Sequence, residues 1–226
     1  MADTHAAVLE HSPDLQHHFD DMPQQFDSST LGMWVFLLTE IMFFGGMFAA
    51  YTIYRGMYPG AFASTSHHMD TWLGAVNTAV LICSSLTMAL AVRSAQIGAR
   101  KLLIWMLVLT MFFGLIFLGI KGVEYYHKYV EHLIPGPGFQ YEADPKYFHQ
   151  AQILFFLYFA MTGFHALHMI VGVGILTTLL VMAIRNRFSP AWYTPVEISG
   201  LYWHFVDIVW IFLFPLLYLI GLHAHP

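Results

Sequence analysis

The sequence predicts an all-α membrane protein whose five helices cross the bilayer as a single bundle. Only 10% of its 226 residues are charged and 58% are hydrophobic, whereas soluble domains average about 25% charged residues. Five long apolar stretches are separated by polar segments, and a helix of about 20 residues crosses a bilayer core of about 30 Å. The predicted spans are 31–54, 72–92, 102–121, 152–184 and 198–222.

Composition excludes several other classes of protein. Residues 1–29 form a polar tail that carries six acidic residues and no Lys or Arg, so this tail is not a secretory signal peptide, which begins with basic residues. The single cysteine, Cys83, rules out an intrachain disulfide and a thiolate metal cluster. A basic patch for nucleic acid is absent. We therefore divide the chain into a tail, 1–29, and a five-helix bundle, 30–226.

The basic residues of the loops predict the orientation in the membrane. Five of them fall on the side that holds the N-terminus: Arg93, Arg100, Lys101, Arg185 and Arg187. The opposite side has four, diluted by acidic residues: Arg55, Lys121, Lys128 and Lys146. Cytoplasmic loops carry an excess of Lys and Arg. This bias places the N-terminus in the cytoplasm and the C-terminus outside, with Lys121 ending its helix near enough to the surface to extend its amine into water.

The first predicted span carries Glu40 near its middle. A carboxylate at this depth costs roughly 2.5–3.5 kcal/mol on insertion scales, so such a side chain normally faces the protein interior and marks a functional site. The alternative is a protonated Glu that hydrogen-bonds two helices together. Gly45, Gly46, Ala49 and Ala50 form two overlapping pairs of small residues, which allow a neighbouring helix to approach closely.

Four more ionisable residues fall in the same layer of the membrane as Glu40: His165, His168, His204 and Asp207. Helical rise places all five side chains about 8–14 Å from the N-terminal side of a core of about 30 Å. The two histidines of the fourth span are three residues apart, as are His204 and Asp207 in the fifth, so each pair shares a helix face. Two interpretations remain: a site for Zn, Cu or Fe, and a hydrogen-bonded cluster that joins the helices.

Several motifs resemble subunit III of the haem–copper cytochrome c oxidases. They are YWHFVDIVWIFLFPLLY (202–218), TGFHALHMIVG (162–172), LLTEIMFFGGMFAAY, LGAVNTAVL and GVEYY (122–126). The similarity covers about residues 31–222, and YWHFVD and TGFHxLH in this order are highly specific. The family is a helical subunit without cofactors. The resemblance therefore favours the hydrogen-bonded cluster over the metal site.

The resemblance also assigns residues. Glu40 matches the buried carboxylate of the family, and the four residues in its layer match the family's polar positions. Glu124 and Glu197 match two further acidic positions. Contact with a phospholipid headgroup is expected at Arg185, Arg187 and Trp34, because a guanidinium at headgroup level is a natural partner for phosphate.

The role implied by the resemblance is that of a non-catalytic accessory subunit of a bacterial aa3- or caa3-type oxidase. It would pack on the catalytic subunit I, beside subunit II, in the inner membrane, and other respiratory complexes are further candidate partners. Haem and copper would lie in those partners, where oxygen is reduced to water and protons are translocated during aerobic respiration. The subunit would bind structural phospholipid and support oxygen access, proton uptake and complex stability. With five spans it resembles the form that lacks the first two helices of the long family members.

Two alternatives differ in function. The first is the homologous subunit of a quinol oxidase or of a nitric oxide reductase, because the electron-donor site lies outside this chain. The second, of a different class, is an autonomous ion or metal transporter that would use the polar layer as its pathway.

Overall fold

A computed structural model describes residues 15–66, 70–141 and 145–219, which form a helical membrane bundle. Within these ranges there is no strand beyond an isolated bridge between Ser189 and Trp192. Five helices in this described part of the chain are long and apolar enough to cross a membrane. In chain order the helices are α1 (Met22–Met57), α2 (Pro59–Ser66), α3 (Thr71–Gln96), α4 (Arg100–Val130), α5 (Phe148–Ile184) and α6 (Thr194–Phe214), which continues as a π-helical turn, Pro215–Leu219.

Two helices extend well beyond the spans expected from sequence. α1 begins at Met22, because the Asp21 side chain accepts a hydrogen bond from the Gln24 N–H (2.8 Å) and caps the first turn. Part of the predicted tail is therefore helical. α4 passes through Lys121 and ends at Val130. Residues 1–14 of the predicted tail and 220–222 of the predicted last span lie outside the described residues.

α6 is the best-enclosed of the five spans, with 56% of its most apolar window buried against 11% for α1. α3, α4, α5 and α6 pack as a ring, in which each helix contacts the next and α6 closes on α3. α1 lies outside this ring against α6 and α5. It is buried along a narrow seam of residues seven apart, Leu37, Phe44 and Tyr51. The helix that carries Glu40, α1, is thus peripheral, and α6 is the most buried of the spans.

The closest helix packing occurs around Trp203 of α6, which is 1% exposed. A Cβ atom added at Gly114 of α4 or at Gly172 of α5 would lie 2.9 Å from its indole ring, so both glycines allow their helices to approach the ring. By contrast, a Cβ at Gly45 or Gly46 would meet no atom of the described chain within 4 Å. Gly45 and Gly46 therefore do not mark a close helix contact within the described residues, although Ala50 packs against the core.

Two glycines on α5 provide a test of this packing. Gly172→Ala is expected to destabilise the bundle by about 1–3 kcal/mol, because the new methyl group would clash with the rigid indole of Trp203. Gly174 meets nothing within 4 Å, so Gly174→Ala should be neutral or stabilise α5 by up to about 1 kcal/mol through helix propensity. Unfolding by SDS in mixed micelles measures both changes. Equal effects of the two substitutions would contradict the packing described for Trp203.

Candidate functional site

The most completely bonded polar group in the described bundle is the Lys121 cluster: Lys121, Glu124, Tyr158 and Tyr218. These residues come from α4, α5 and the π-helical turn, and none is more than 4% exposed. The Lys121 amine donates to Glu124 Oε2 (2.8 Å), to the Tyr218 hydroxyl (2.9 Å) and to the Tyr158 hydroxyl (3.2 Å). All three of its protons therefore have acceptors.

The carboxylate of Glu124 is equally well satisfied. Its Oε1 accepts from the hydroxyls of Tyr158 (2.7 Å) and Tyr218 (2.5 Å), while Oε2 pairs with Lys121. The Lys121 amine also lies 5.1 Å from the ring centroid of Trp210 and 5.2 Å from that of Tyr158, within cation–π range. A buried charge pair is tolerated when its remaining hydrogen-bonding positions are filled, as they are here. The cluster therefore fastens three elements to one another.

The position of Tyr218 depends on Pro215. Proline has no N–H to donate and disrupts a regular α-helix; after Phe214 the helix changes to the π-helical turn Pro215–Leu219. Tyr218 lies in this turn, with its hydroxyl against Glu124. Such π-helical turns often occur at functional positions.

The expectation that Lys121 ends its helix and reaches water is wrong, since the side chain is 3% exposed and paired inside the bundle. A signal for the pairing was present in the sequence. Lys121 and Glu124 are three residues apart, the spacing that brings opposite charges together on one helix face. The pairing forms because the helix continues past Lys121 to Val130.

Glu40 of α1 contacts His168 of α5. Glu40 Oε2 lies 3.1 Å from His168 Nε2, and both side chains are only partly buried, at 19% and 16% exposed. His168 Nδ1 lies 2.8 Å from the Phe164 carbonyl oxygen. A carbonyl can only accept, so Nδ1 carries a proton, and Nε2 and the carboxyl of Glu40 share a further proton between them. The contact is either an ion pair or a hydrogen bond from a neutral carboxylic acid.

His165 lies apart from this pair, in the interior of the ring. Its side chain is 1% exposed and packs against the rings of Phe117 and Trp210, each with a centroid distance of 5.3 Å. Among the described residues neither ring nitrogen has a hydrogen-bond partner. His165 therefore contributes to the aromatic core of the ring and makes no contact with an acid there.

His204 and Asp207 face α3. His204 Nδ1 lies 2.8 Å from the Ser85 hydroxyl. Asp207 is 3% exposed, and neither of its carboxyl oxygens has a partner with hydrogen-bond geometry in the described part of the chain. Ser85 is also close to this carboxyl group, but the hydrogen bond with acceptable geometry joins its hydroxyl to His204.

The five residues predicted to share one membrane layer thus occupy three separate places. Glu40 and His168 join α1 to α5, His165 lies in the core, and His204 and Asp207 face α3. Residues 15–66, 70–141 and 145–219 contain no group of three or more His, Cys, Asp or Glu side chains arranged to hold a metal ion. The described residues therefore do not provide a set of ligands for the Zn, Cu or Fe site considered from sequence.

The remaining predicted residues lie near the ends of the spans or on the outer surface. Arg185 and Arg187 are exposed just after α5, and Trp34 is 56% exposed on α1. Glu197 is in the first turn of α6, where an acid is favoured by the helix dipole. The structure also shows a contact missed from sequence: Arg100 Nε donates to the Ala183 carbonyl (3.0 Å), and its Nη2 donates to that of Ile184. The start of α4 is thereby tied to the end of α5.

Comparison with known proteins shows the family. A family profile described as cytochrome c oxidase subunit III matches residues 17–222. The chain is 35% identical to cytochrome c oxidase subunit 3 of Corynebacterium diphtheriae, over 84% of this chain and 87% of the relative. It is 30% identical to the protein of the same name from Thermostichus vulcanus, over 86% and 88%. Quinol oxidase subunit 3 of Bacillus subtilis is 27% identical, over 95% and 98%.

These matches agree with the five membrane-spanning helices and with the motifs on α5 and α6. They extend over nearly the whole described bundle, including the Lys121 cluster and the Glu40–His168 pair. A family match of this length establishes the fold and the family together. This chain belongs to the subunit III family of the haem–copper oxidases and is a multi-pass membrane protein.

Proposed function

We propose that this chain is the accessory subunit III of a bacterial aa3- or caa3-type cytochrome c oxidase in the inner membrane. The observation that supports the choice of oxidase is the order of similarity. Relatives named cytochrome c oxidase subunit 3 are 30–35% identical to the chain, and the quinol oxidase subunit is 27% identical. The N-terminus would face the cytoplasm and the C-terminus the outside.

The proposed role is non-catalytic. It is supported by how the polar groups of the bundle are used, since the buried Lys121 cluster and the partly buried Glu40–His168 pair both link helices to one another. Haem and copper would belong to subunits I and II, where oxygen is reduced. This chain would stabilise the complex and support oxygen access and proton uptake by subunit I.

Phospholipid binding belongs to the same proposal. Arg185 and Arg187 are exposed after α5, at the level where a phosphate headgroup would lie, and Trp34 is exposed on α1. Phosphorus analysis of the purified complex tests this: the Arg185→Ala, Arg187→Ala double variant should retain less phospholipid than the wild-type complex. An unchanged lipid content would contradict the assignment.

Purification of the complex from native membranes tests the main proposal. A tag on this chain should co-purify a haem–copper subunit together with either a copper-binding cupredoxin subunit or a fused cytochrome c domain, which identifies cytochrome c as the donor. Recovery with a quinol-oxidising enzyme or with a nitric oxide reductase would replace the proposed enzyme. Stoichiometric metal in the isolated chain, or ion flux through the chain alone in liposomes, would instead favour the transporter.

Glu40→Gln is expected to leave proton pumping intact. The Gln amide can donate to His168 Nε2, so the link between α1 and α5 survives without a group that ionises. Because the pair is only partly buried, we expect the free energy of unfolding to change by less than about 1 kcal/mol. The number of protons released per electron, measured with the oxidase in proteoliposomes, tests this prediction.

Glu40→Leu is the matched control, since leucine is of similar size and cannot make the hydrogen bond. It should weaken the attachment of α1 and lower stability more than Glu40→Gln does. Normal stability with complete loss of pumping in Glu40→Gln would show that Glu40 transfers protons, contrary to the role proposed for it.

A further inference from the structure

A groove of about 430 Å³ lies between α3 and α6 on the outer surface of the bundle. Three of the side chains that line it are polar, and the others are aliphatic. We call the polar residues, Ser85 of α3 with His204 and Asp207 of α6, the Ser85 trio. His204 and Asp207 can each gain or lose a proton, so what the trio offers to the groove depends on where its protons lie.

Ser85 lies between the two titratable members of the trio. Its hydroxyl is 2.8 Å from His204 Nδ1 and is also close to the Asp207 carboxyl group. That carboxyl group is not aligned for a hydrogen bond with Ser85, but the terminal torsion of an aspartate turns readily. Because one hydroxyl can donate and accept at the same time, a rotation of the carboxyl group connects Asp207 to His204 through Ser85.

Of the two titratable members, only His204 is placed to meet the groove. Both oxygens of Asp207 are enclosed, and neither has a partner within the described chain. The imidazole of His204 is half-buried, and its Nε2 is not among the enclosed polar atoms. The character of the groove is therefore set by Nε2, which donates a hydrogen bond if it carries a proton and accepts one if it does not.

The surroundings of Asp207 favour its neutral form. The residue lies near the middle of the 26-residue span Thr194–Leu219. Among the described residues no lysine or arginine lines the groove beside it. An isolated charge at such a depth is much more costly than a neutral group. A neutral carboxylic acid has one O–H to donate and one C=O to accept.

The hydroxyl of Ser85 then sets the direction of the hydrogen bonds. If Ser85 donated to Asp207, the O–H of the acid would be enclosed without an acceptor in the described chain, which carries the full cost of desolvation. If the acid donates to Ser85 Oγ instead, the Ser85 hydroxyl donates to His204 Nδ1 at the observed 2.8 Å. Nδ1 then carries no proton, and the proton of the neutral imidazole lies on Nε2. Only this second direction gives every enclosed donor an acceptor.

We propose that Asp207 is a protonated positioning residue, which donates to Ser85 and thereby fixes His204 as the tautomer whose Nε2–H faces the groove. The trio thus gives this side of α6 a hydrogen-bond donor, and not an acceptor, in the middle of the membrane. The inference concerns the side chains of this chain alone and holds for any oxidase to which the chain belongs.

Infrared spectroscopy tests the proton on Asp207. The full-length chain, labelled with ¹³C at the carboxyl carbon of aspartate, is placed in lipid bilayers at neutral pH. Asp207 is the only aspartate in the five apolar spans predicted from the sequence, and aspartates in water are ionised at this pH. The label leaves the bands of glutamates such as Glu40 unmoved. We expect one label-sensitive C=O band of a carboxylic acid, which disappears in Asp207→Asn.

Substitutions at Ser85 test its part in the chain of hydrogen bonds. Ser85→Ala removes the acceptor of the acid O–H, so the C=O band of Asp207 should move to higher frequency, as in an acid without a hydrogen bond. Ser85→Thr keeps a hydroxyl and should restore the wild-type frequency. Ser94→Ala is the matched control, because the Ser94 hydroxyl lies on the same helix and donates to the carbonyl of Leu90 (2.6 Å). It should leave the band in place.

The tautomer of His204 is measured by ¹⁵N NMR of the histidine-labelled chain in the same bilayers. The signals of His204 are those that disappear in His204→Gln. We expect Nδ1 to have the chemical shift of a ring nitrogen without a proton and Nε2 that of a protonated one.

Three results would overturn the proposal. A wild-type chain without a label-sensitive acid band would show that Asp207 is ionised. An unmoved band in Ser85→Ala would show that Ser85 is not its partner. A proton on Nδ1 of His204 would show that the hydrogen bonds run in the opposite direction. The first result needs only the wild-type chain, so it does not depend on whether any variant folds, and none of the three depends on which subunits co-purify.

Discussion

Replacing Lys121 with Met is expected to destabilise the bundle by about 3–5 kcal/mol, the range for removing one member of a buried ion pair. The substitution leaves the carboxylate of Glu124 buried without its cation. The hydroxyls of Tyr158 and Tyr218 also lose a donor. The free energy of unfolding, obtained by SDS titration in mixed micelles with tryptophan fluorescence, measures the loss.

Two variants make this result interpretable. Lys101→Met removes an exposed lysine near the start of the same helix and should change stability by no more than about 0.5 kcal/mol. The double variant Lys121→Met, Glu124→Gln should recover part of the loss, because the amide oxygen still accepts from the tyrosines and no charge is left unpaired. A Lys121→Met protein as stable as Lys101→Met would show that the Lys121 cluster does not hold the helices together.

Trp203→Ala is expected to destabilise the bundle by about 3–5 kcal/mol, as for other buried aromatic side chains. The indole fills the space between Gly114 and Gly172, so its removal leaves a cavity between three helices. Its N–H also donates to the Ser84 hydroxyl (3.0 Å), which loses this contact. In a membrane such packing contacts and interhelical hydrogen bonds are the main source of helix association.

Trp105→Ala is the matched control, because Trp105 is 68% exposed in a spanning helix of the same ring. We expect it to change the free energy of unfolding by less than about 0.5 kcal/mol. The same SDS titration applies to both variants. Similar losses at Trp203 and Trp105 would mean that the indole of Trp203 is not a central packing element.

The number and type of spanning helices were predictable, because crossing a bilayer requires long apolar stretches that stand out from the loops. The ends of the helices were less accessible. The sequence predicts that a span ends at Lys121, since single charges are costly in hydrocarbon. In the structure Lys121 and Glu124 neutralise each other and bond to Tyr158 and Tyr218. Those tyrosines are distant in sequence, so only tertiary structure reveals the acceptors.

The depth of the candidate site residues in the membrane was predictable from sequence, but the direction in which each side chain points was not. Helical rise placed Glu40 and the residues of its layer at similar heights. Height does not specify how each helix is rotated about its axis. His165 and His168 lie on one helix, yet the first packs against Phe117 and Trp210 and the second faces Glu40. A polar layer in sequence is therefore weaker evidence for one cluster than it appears from spacing alone.

The central role of α6 was missed for a related reason. An acid such as Glu40 is rare in a membrane span and therefore indicates a functional helix, whereas aromatic residues such as those of α6 are common in the interior of any bundle. In the structure Trp203 and Trp210 are fully buried and contact residues of several helices. Aromatic residues seven apart on one helix face indicate a core position in this bundle more reliably than a single charge does.

The narrow seam along α1 has a consequence for how the chain is made. The helix that α1 contacts most is α6, the last of the described helices to be synthesised. Most of its surface is apolar enough to rest in lipid, so it can remain there unattached while the intervening spans enter the membrane. Phe44 meets Phe205 only once α6 has been made, whereas Tyr51 packs on Phe62 of the neighbouring α2. Docking of α1 on α6 accordingly follows the synthesis of the other described helices, and truncation before α6 should remove the largest contact that α1 makes with the bundle.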